Sequence, residues 1–331
     1  MKTYKCVVAK SRGGPEMLEV VEKGLRFPEE GEVRIKVQAT PVVQDDVEVR
    51  RGNRPWLPDF PFTPGYAILG IVDVVGKGVK GVHGGDRVAA LTNFGGYGEY
   101  IYWDAEQLVQ VPQSLDAAEA VVLILNYLVP MQVMHNVVQV KPEEKALVIG
   151  ASGGTGTAFL DLGRRAGLKM YGIASKPKHG IVEDFGAIPI DYHTQDFVDI
   201  LSELEPKGID YVFNGMAAEY FDRCMKVMRR GGVLVHYGGP RSKRGFYKLV
   251  VKLIYYNLLP NGKRIKGFGT HTGGIEKYEA DWLALFQMLE QGEIKPVVAG
   301  RYPLLEARRA NELLEDGSVI GTQVLMSSEL L

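Results

Sequence analysis

The segment that most constrains the fold is Ala146-Leu147-Val148-Ile149-Gly150-Ala151-Ser152-Gly153-Gly154-Thr155-Gly156. Residues 146–150 read as a buried strand that runs into a glycine turn, and 157–166 read as a helix. A strand, a tight turn and a helix in that order set free backbone N–H groups and a positive dipole end at the turn. Gly153 lets the backbone come close to an anion, and Gly156 lets the helix pack tightly on the strand. The arrangement predicts a pyrophosphate site of a dinucleotide, built from Gly150, Ala151, Ser152, Gly153, Gly154, Thr155 and Gly156. Ala151 stands at the first glycine of the G-x-G-x-x-G fingerprint.

Strands and helices alternate beyond this point. Residues 169–174, 188–191, 209–214 and 233–238 read as strands, and 179–185, 197–204 and 218–228 as helices. Such alternation predicts βαβ units and a parallel sheet. The strand after the glycine turn ends in Ala174-Ser175-Lys176-Pro177-Lys178-His179, with no carboxylate before Glu183. NAD sites place an acid there for the ribose 2′-hydroxyl, whereas serine and lysine suit a 2′-phosphate. NADP is therefore expected over NAD.

The first third has another texture. Residues 5–10, 32–39, 68–75, 86–91 and 97–103 read as short strands, and 32–39 alternates charged with apolar residues. Ten of the 34 residues from Gly65 to Gly98 are glycine, and none lies between Gly98 and Gly150. A β-rich domain with tight turns is expected, followed by apolar helix over 115–140. The tail reads as strand 297–302, helix 306–314 and strand 321–326.

Composition narrows the class. Lys and Arg number 39 against 40 Asp and Glu, so the basic footprint of a nucleic-acid binder is missing. Two cysteines, Cys6 and Cys224, cannot build a disulfide framework or a tetrahedral thiolate zinc site. The apolar stretch 120–134 is interrupted by Asn126, Pro130 and Gln132 and falls short of the roughly 20 residues a bilayer needs. With no apolar leader near Met1, a cytoplasmic location is expected. Residues 241–266 hold eight basic side chains and no acid, and Lys248 and Lys252 at i, i+4 suggest an amphipathic helix. Two readings stay open for it: a lid or subunit-contact helix, or peripheral contact with anionic membranes.

Several short runs occur in a fixed order: Phe60-Pro61-Phe62-Thr63-Pro64-Gly65, Gly70-Ile71-Val72, Val75-Gly76-Lys77-Gly78-Val79, Gly84-Gly85-Asp86-Arg87-Val88 and Gly95-Gly96-Tyr97-Gly98-Glu99-Tyr100. Leu125-Asn126-Tyr127, Ile190-Asp191-Tyr192, Gly231-Gly232 and Tyr237-Gly238 follow. In these the chain resembles the zinc-free quinone oxidoreductase branch of the medium-chain dehydrogenase/reductase superfamily, with vesicle amine transport protein homologues a close sub-branch. The resemblance implies an α/β protein: a GroES-like β-rich catalytic domain from 1–125 and 267–331, and a Rossmann NADP-binding domain at 126–266. It implies that Lys178 and Tyr192 meet the 2′-phosphate beside Ser175, and that Asn126, Asn214, Tyr237, Gly238 and Phe268 also contact NADP(H). It further implies a homodimer, for which strand 233–238 could extend a sheet across a two-fold axis.

The superfamily's alcohol dehydrogenases hold a catalytic zinc with Cys, His and Cys or an acid. Residues 39–46 here read Ala-Thr-Pro-Val-Val-Gln-Asp-Asp, and Tyr66 stands at the histidine position, so no metal is expected. Hydride transfer to an activated alkene needs no metal, and the resemblance implies an enone or quinone substrate. Three positions depart from the branch: Val43 replaces an Asn that faces the nicotinamide, Val129 a Thr, and Ala67 an acid. Gln44, Asp46, Tyr66 and Asn93 remain as polar candidates for the catalytic site, with solvent as an alternative proton source. A second reading is an NADPH-binding protein with little catalysis that acts at membranes or with partners; a zinc alcohol dehydrogenase comes third.

Overall fold

The computed structural model describes residues 2–54, 58–239, 243–270 and 275–331. In chain order, β1 is Thr3–Ala9, β2 Leu18–Gly24, β3 Glu32–Val42, α1 Gln44–Arg50, β4 Ala67–Val75, β5 Arg87–Leu91, β6 Tyr100–Asp104 and β7 Val109–Gln110. Next come α2 Ala117–Val122, α3 Leu128–Gln132, β8 Lys145–Ile149, α4 Gly154–Arg165, β9 Lys169–Ala174, α5 His179–Asp184, β10 Ile188–Asp191, α6 Phe197–Leu204 and β11 Ile209–Asn214. The remainder is α7 Phe221–Val227, β12 Met228–His236, α8 Lys243–Leu258, β13 Arg264–Gly267, α9 Ile275–Glu290, β14 Val298–Pro303, α10 Ala307–Glu315 and β15 Thr322–Met326. The chain forms two compact units. Unit 1 is 1–52, 56–128 and 273–331; unit 2 is 53–55 and 129–272.

Unit 1 is built on a seven-stranded sheet in the order β14-β15-β3-β4-β5-β7, with β6 also on β3. β3 shows the period-two pattern its sequence predicts. Val33, Ile35 and Val37 point into the core, while the Arg34 guanidinium reaches Asp73 at 2.6 Å on the other face. Ile68, Val72, Val88 and Leu325 complete that core. Burial of each such side chain contributes about 1.5–3 kcal/mol. The expected strand 97–103 begins only at Tyr100. Tyr97 instead bonds Pro64 and Val7 through its backbone, and its ring is fully buried.

Unit 2 holds a six-stranded parallel sheet in the order β10-β9-β8-β11-β12-β13. Leu147, Val212, Leu234 and Phe221 lie in its core. The expected edge strand 233–238 is corrected: β12 runs Met228–His236 between β11 and β13, so β13 is the outer strand. The expected helix 218–228 is a 3₁₀ turn at Ala218–Tyr220 followed by α7, which ends at Val227 because Met228 is already extended.

The helix expected over 115–140 is one continuous helix, Ala117–Val138, of 22 residues; it runs through Asn126, Pro130 and Gln132, the residues expected to cut its apolar run too short for a bilayer, and holds an 18-residue window of mean hydropathy 1.6. It is long and apolar enough to cross a membrane, and 94% of its apolar window is buried. Its π-helical turns, Leu123–Tyr127 and Val133–Val138, flank the segment that carries Pro130, whose missing N–H and ring strain a regular α-helix.

Helix α8 has two apolar faces. Leu249, Leu253 and Tyr256 pack on the core of unit 2. Tyr247, Val251, Ile254, Tyr255 and Leu258 are exposed. Lys252 does not share an outer basic face with Lys248. Its ammonium turns to Asp222 at 3.0 Å and to the Ala218 carbonyl.

Candidate functional site

The glycine turn of unit 2 has the geometry its sequence predicts. Gly150 closes β8 with φ +79°, and the Ala151 N–H donates to the Ile173 carbonyl of the neighbouring strand at 3.0 Å. Gly153 is the N-cap of α4 in extended conformation, with no side-chain cap over the first turn. A Cβ built on Gly153 would meet only the Gly150 carbonyl, at 3.6 Å, so the N-terminal mouth of the helix is open to an anion. A Cβ on Gly156 would run into the backbone of Gly150 and Ala151. Ala151 itself is fully buried, and a Cβ on Gly172 would lie 2.9 Å from its methyl. Gly172 thus gives up the room that a glycine at 151 would have left. Thr155 lies in the first turn of α4, and Ser152 is nearly buried before it.

At the end of β9, Ser175 caps the turn Lys176–Lys178 without a side-chain bond of its own, and Lys178 is half-buried. Tyr192 follows β10, half exposed, with its ring centroid 4.1 Å from that of His193. The carboxylate here, Asp191, accepts from the Thr194 hydroxyl at 2.8 Å and the His193 N–H at 3.2 Å. The Thr194 bond, foremost, holds it below the usual carboxylate range. It is committed to its own turn, which leaves serine and lysine at the end of β9.

The later strand ends converge on backbone. Asn214 is buried; its Oδ1 accepts from the Met216 N–H at 2.8 Å and thereby shapes the turn after β11. Tyr237 leans on Phe159, and burial pushes its hydroxyl well above the ordinary tyrosine range. A Cβ on Gly238 would strike the Gly215 carbonyl, so these two strand ends meet without side chains between them. Phe268 donates its N–H to the His236 carbonyl at 2.9 Å. The Arg54 guanidinium lies against Gly239.

The polar candidates of unit 1 separate on geometry. Asp46 is buried at the start of α1, where it accepts from the Val43 N–H at 3.1 Å, the Gly65 N–H at 3.0 Å and the Tyr97 hydroxyl at 2.9 Å. Burial pushes its carboxyl up to about 7 despite those donors. Its two oxygens are spent on these donors inside the unit. Gln44 is exposed and donates to Glu48 at 2.9 Å. Tyr66 is 2% exposed, and its carbonyl accepts from the N–H groups of Thr92 and Asn93. Asn93 has φ +60° and a buried Oδ1 with no protein partner. Asn126 is 4% exposed, and its Oδ1 also lacks a protein partner. An orphaned buried amide oxygen costs about 1–3 kcal/mol unless a ligand or water satisfies it. Among the described residues no group of three or more His, Cys, Asp or Glu side chains is placed to hold a metal.

Residues 29–113 match the alcohol dehydrogenase GroES-like domain, and residues 186–325 match the zinc-binding dehydrogenase family. The synaptic vesicle membrane protein VAT-1 homolog of Rattus norvegicus is 28% identical over 340 residues, covering 97% of this chain and 84% of that protein. Quinone oxidoreductase of Sus scrofa is 28% identical, covering 95% of each. The crystal structure of Escherichia coli quinone oxidoreductase complexed with NADPH superposes with a TM-score of 0.87 at 25% identity, over 97% of this chain and 99% of that one. With its GroES-like sheet, its parallel Rossmann-type sheet and these relatives, the chain belongs to the medium-chain dehydrogenase/reductase superfamily.

Proposed function

We propose that the chain is an NADPH-dependent, zinc-independent reductase of activated C=C bonds in α,β-unsaturated carbonyls or quinones. The observation that carries this reading is the pairing in unit 2 of an open glycine turn with a strand end that offers Ser175 and Lys178 and keeps its nearest carboxylate, Asp191, for its own turn. The NADPH complex of the E. coli quinone oxidoreductase supports it.

The N–H groups at the start of α4 would hold the pyrophosphate, and Lys178 with Tyr192 and Ser175 would hold the 2′-phosphate. Bound NADPH supplies a hydride. In the reduction the hydride adds to the β-carbon, the π-electron pair moves to the carbonyl oxygen as an enolate, and a proton from solvent completes the α-carbon. The protein's part is to orient the reactants and to set donors where oxyanion charge develops. Purified chain with a panel of enones and quinones should consume NADPH faster than NADH at equal concentration. Equal use of both cofactors, or zinc-dependent oxidation of alcohols, contradicts the proposal.

The exposed apolar face of α8 favours a second reading, a peripheral membrane role with little catalysis. Tyr247 and Leu258 are 71% and 78% exposed on a segment rich in basic residues. NADPH binding without turnover, together with co-sedimentation on anionic liposomes at low salt, would select it.

A further inference from the structure

The polar cluster around Asp46 extends beyond its three donors. Tyr97 is fully buried, and burial pushes its phenol well above the ordinary tyrosine range, so the hydroxyl keeps its proton. That proton goes to Asp46 Oδ2 at 2.9 Å. The amide of Asn311, from α10, stands within hydrogen-bonding reach of the same hydroxyl. Asn311 is 1% exposed. Its Nδ2 donates to the Ala307 carbonyl at 2.8 Å, and its Oδ1 is buried without a protein partner.

The donors and acceptors close in two ways. A carboxylate only accepts, and as an anion Asp46 suits the Val43 N–H, the Gly65 N–H and the Tyr97 hydroxyl. A neutral carboxyl carries a proton that must itself be donated. The two N–H groups cannot accept it, but a hydroxyl both donates and accepts. If Tyr97 accepts from Asp46, its own proton has to turn elsewhere, and the Asn311 Oδ1 is the acceptor left over. Oδ2 also holds the Val43 N–H, and it holds it less strongly once the charge is gone. The Gly65 N–H stays on Oδ1.

The surrounding charges leave this choice to the cluster. Asp45, beside Asp46 in α1, disfavours a second negative charge. Arg50, at the end of α1, is paired with Glu315 of α10, and Glu48 is bonded to Gln44. The segments 63–66 and 95–98 hold no charged residue.

We propose that Asp46, Tyr97 and Asn311 form a pH-sensitive switch in the core of unit 1: a proton taken up by Asp46 turns the Tyr97 hydroxyl from Asp46 to the Asn311 amide oxygen and loosens the hold on the Val43 N–H at the start of α1. Burial of the carboxyl, which brings it up to about 7, places the change near neutral pH.

The test follows the Asp46 carboxyl carbon, the Tyr97 hydroxyl and the Val43 and Gly65 amides by NMR from about pH 5 to about pH 9, with Asp46→Asn to assign the titrating signals. Asp46 and the Val43 amide should share one midpoint, and the Gly65 amide should move less. Below that midpoint the Tyr97 hydroxyl proton should show a nuclear Overhauser contact to the Asn311 side-chain amide, and above it the contact should fade. Asn311→Leu keeps every bond of the anion and removes the acceptor that only the neutral form uses. Its midpoint should fall by about one pH unit, a tenfold loss of proton affinity. Loss of the Ala307 bond in this variant lowers stability alike on both sides of the midpoint. A midpoint that is unchanged or higher in Asn311→Leu, or a Tyr97 hydroxyl that keeps one direction through the titration, overturns the proposal. Where Asn311→Leu does not fold, the hydroxyl contact in the native chain decides.

Discussion

The side-chain amide of Asn257 holds both backbone polar groups of Ile265: Nδ2 donates to the carbonyl at 2.8 Å, and Oδ1 accepts from the N–H at 3.0 Å. Ile265 lies in β13, which has a neighbouring strand on one side only. An open edge of this kind is a template for another strand. Asn257, from α8, occupies that place at Ile265 and closes the edge there with the chain's own side chain. Asn257→Ala should cost about 1–2 kcal/mol for the two bonds, read as a lower melting temperature. It should also shift the chain toward larger species in size-exclusion chromatography with light scattering. Unchanged size would show that the amide does not guard the edge.

Two glycines of the turn should respond differently. Gly153 has φ −80° and a Cβ there meets only the Gly150 carbonyl at 3.6 Å, so Gly153→Ala should fold, losing about 1 kcal/mol or less for alanine in place of glycine at the N-cap. Its methyl would instead stand where the pyrophosphate approaches, and the NADPH Kd should rise about tenfold or more. Gly156→Ala forces a methyl into the backbone of Gly150 and Ala151 and should lose about 1–3 kcal/mol of stability as well. Thermal melts paired with NADPH titrations separate the two effects.

Much of unit 2 was legible because glycine punctuates it. Strands 169–174, 188–191 and 209–214 begin and end where the sequence predicts, and Gly167, Gly186 and Gly208 precede them in left-handed conformation with φ +74°, +73° and +78°. β13 was not legible: four residues, Arg264-Ile265-Lys266-Gly267, offer one apolar side chain and read as part of a basic run. Asp46 was named as a polar group near the chemistry. Only the fold reveals that two backbone N–H groups and Tyr97 consume it. Lys248 and Lys252 looked like one charged face because helical spacing takes no account of Asp222, which draws Lys252 inward.

Lys178 decides the cofactor in the proposed reading. It stands after β9 where an NAD enzyme would carry an acid, and the Lys178 N–H donates to the Ser175 carbonyl at 2.8 Å to shape the turn. Lys178→Ala keeps that backbone bond and removes the ammonium. Affinity for NADPH should fall about tenfold while affinity for NADH stays unchanged, because only the 2′-phosphate loses a partner. Isothermal titration with both cofactors checks this, and an equal loss for the two would place Lys178 elsewhere in the site.

Asp46 should give the protein a pH-dependent stability with a definite sign. Its carboxyl is raised to about 7 by burial, above the ordinary value of about 3.9 that applies in the unfolded chain. Between those two values the folded state binds the extra proton, so stability is greatest below the unfolded value and is lost as pH rises through the folded one. His236, held down to about 4 by burial, works in the opposite sense, with stability gained as pH rises toward about 6.5. It is present in both proteins of a comparison and cancels. Asp46→Asn cannot titrate, and it loses an acceptor for one of the three donors, so it should be the less stable protein at every pH. The stability difference between the native chain and this variant should shrink from about pH 5 to about pH 8 as the native carboxyl ionises in its buried place. Urea midpoints of both proteins at the two pH values measure it, and a difference that does not change with pH would mean that Asp46 holds one protonation state throughout.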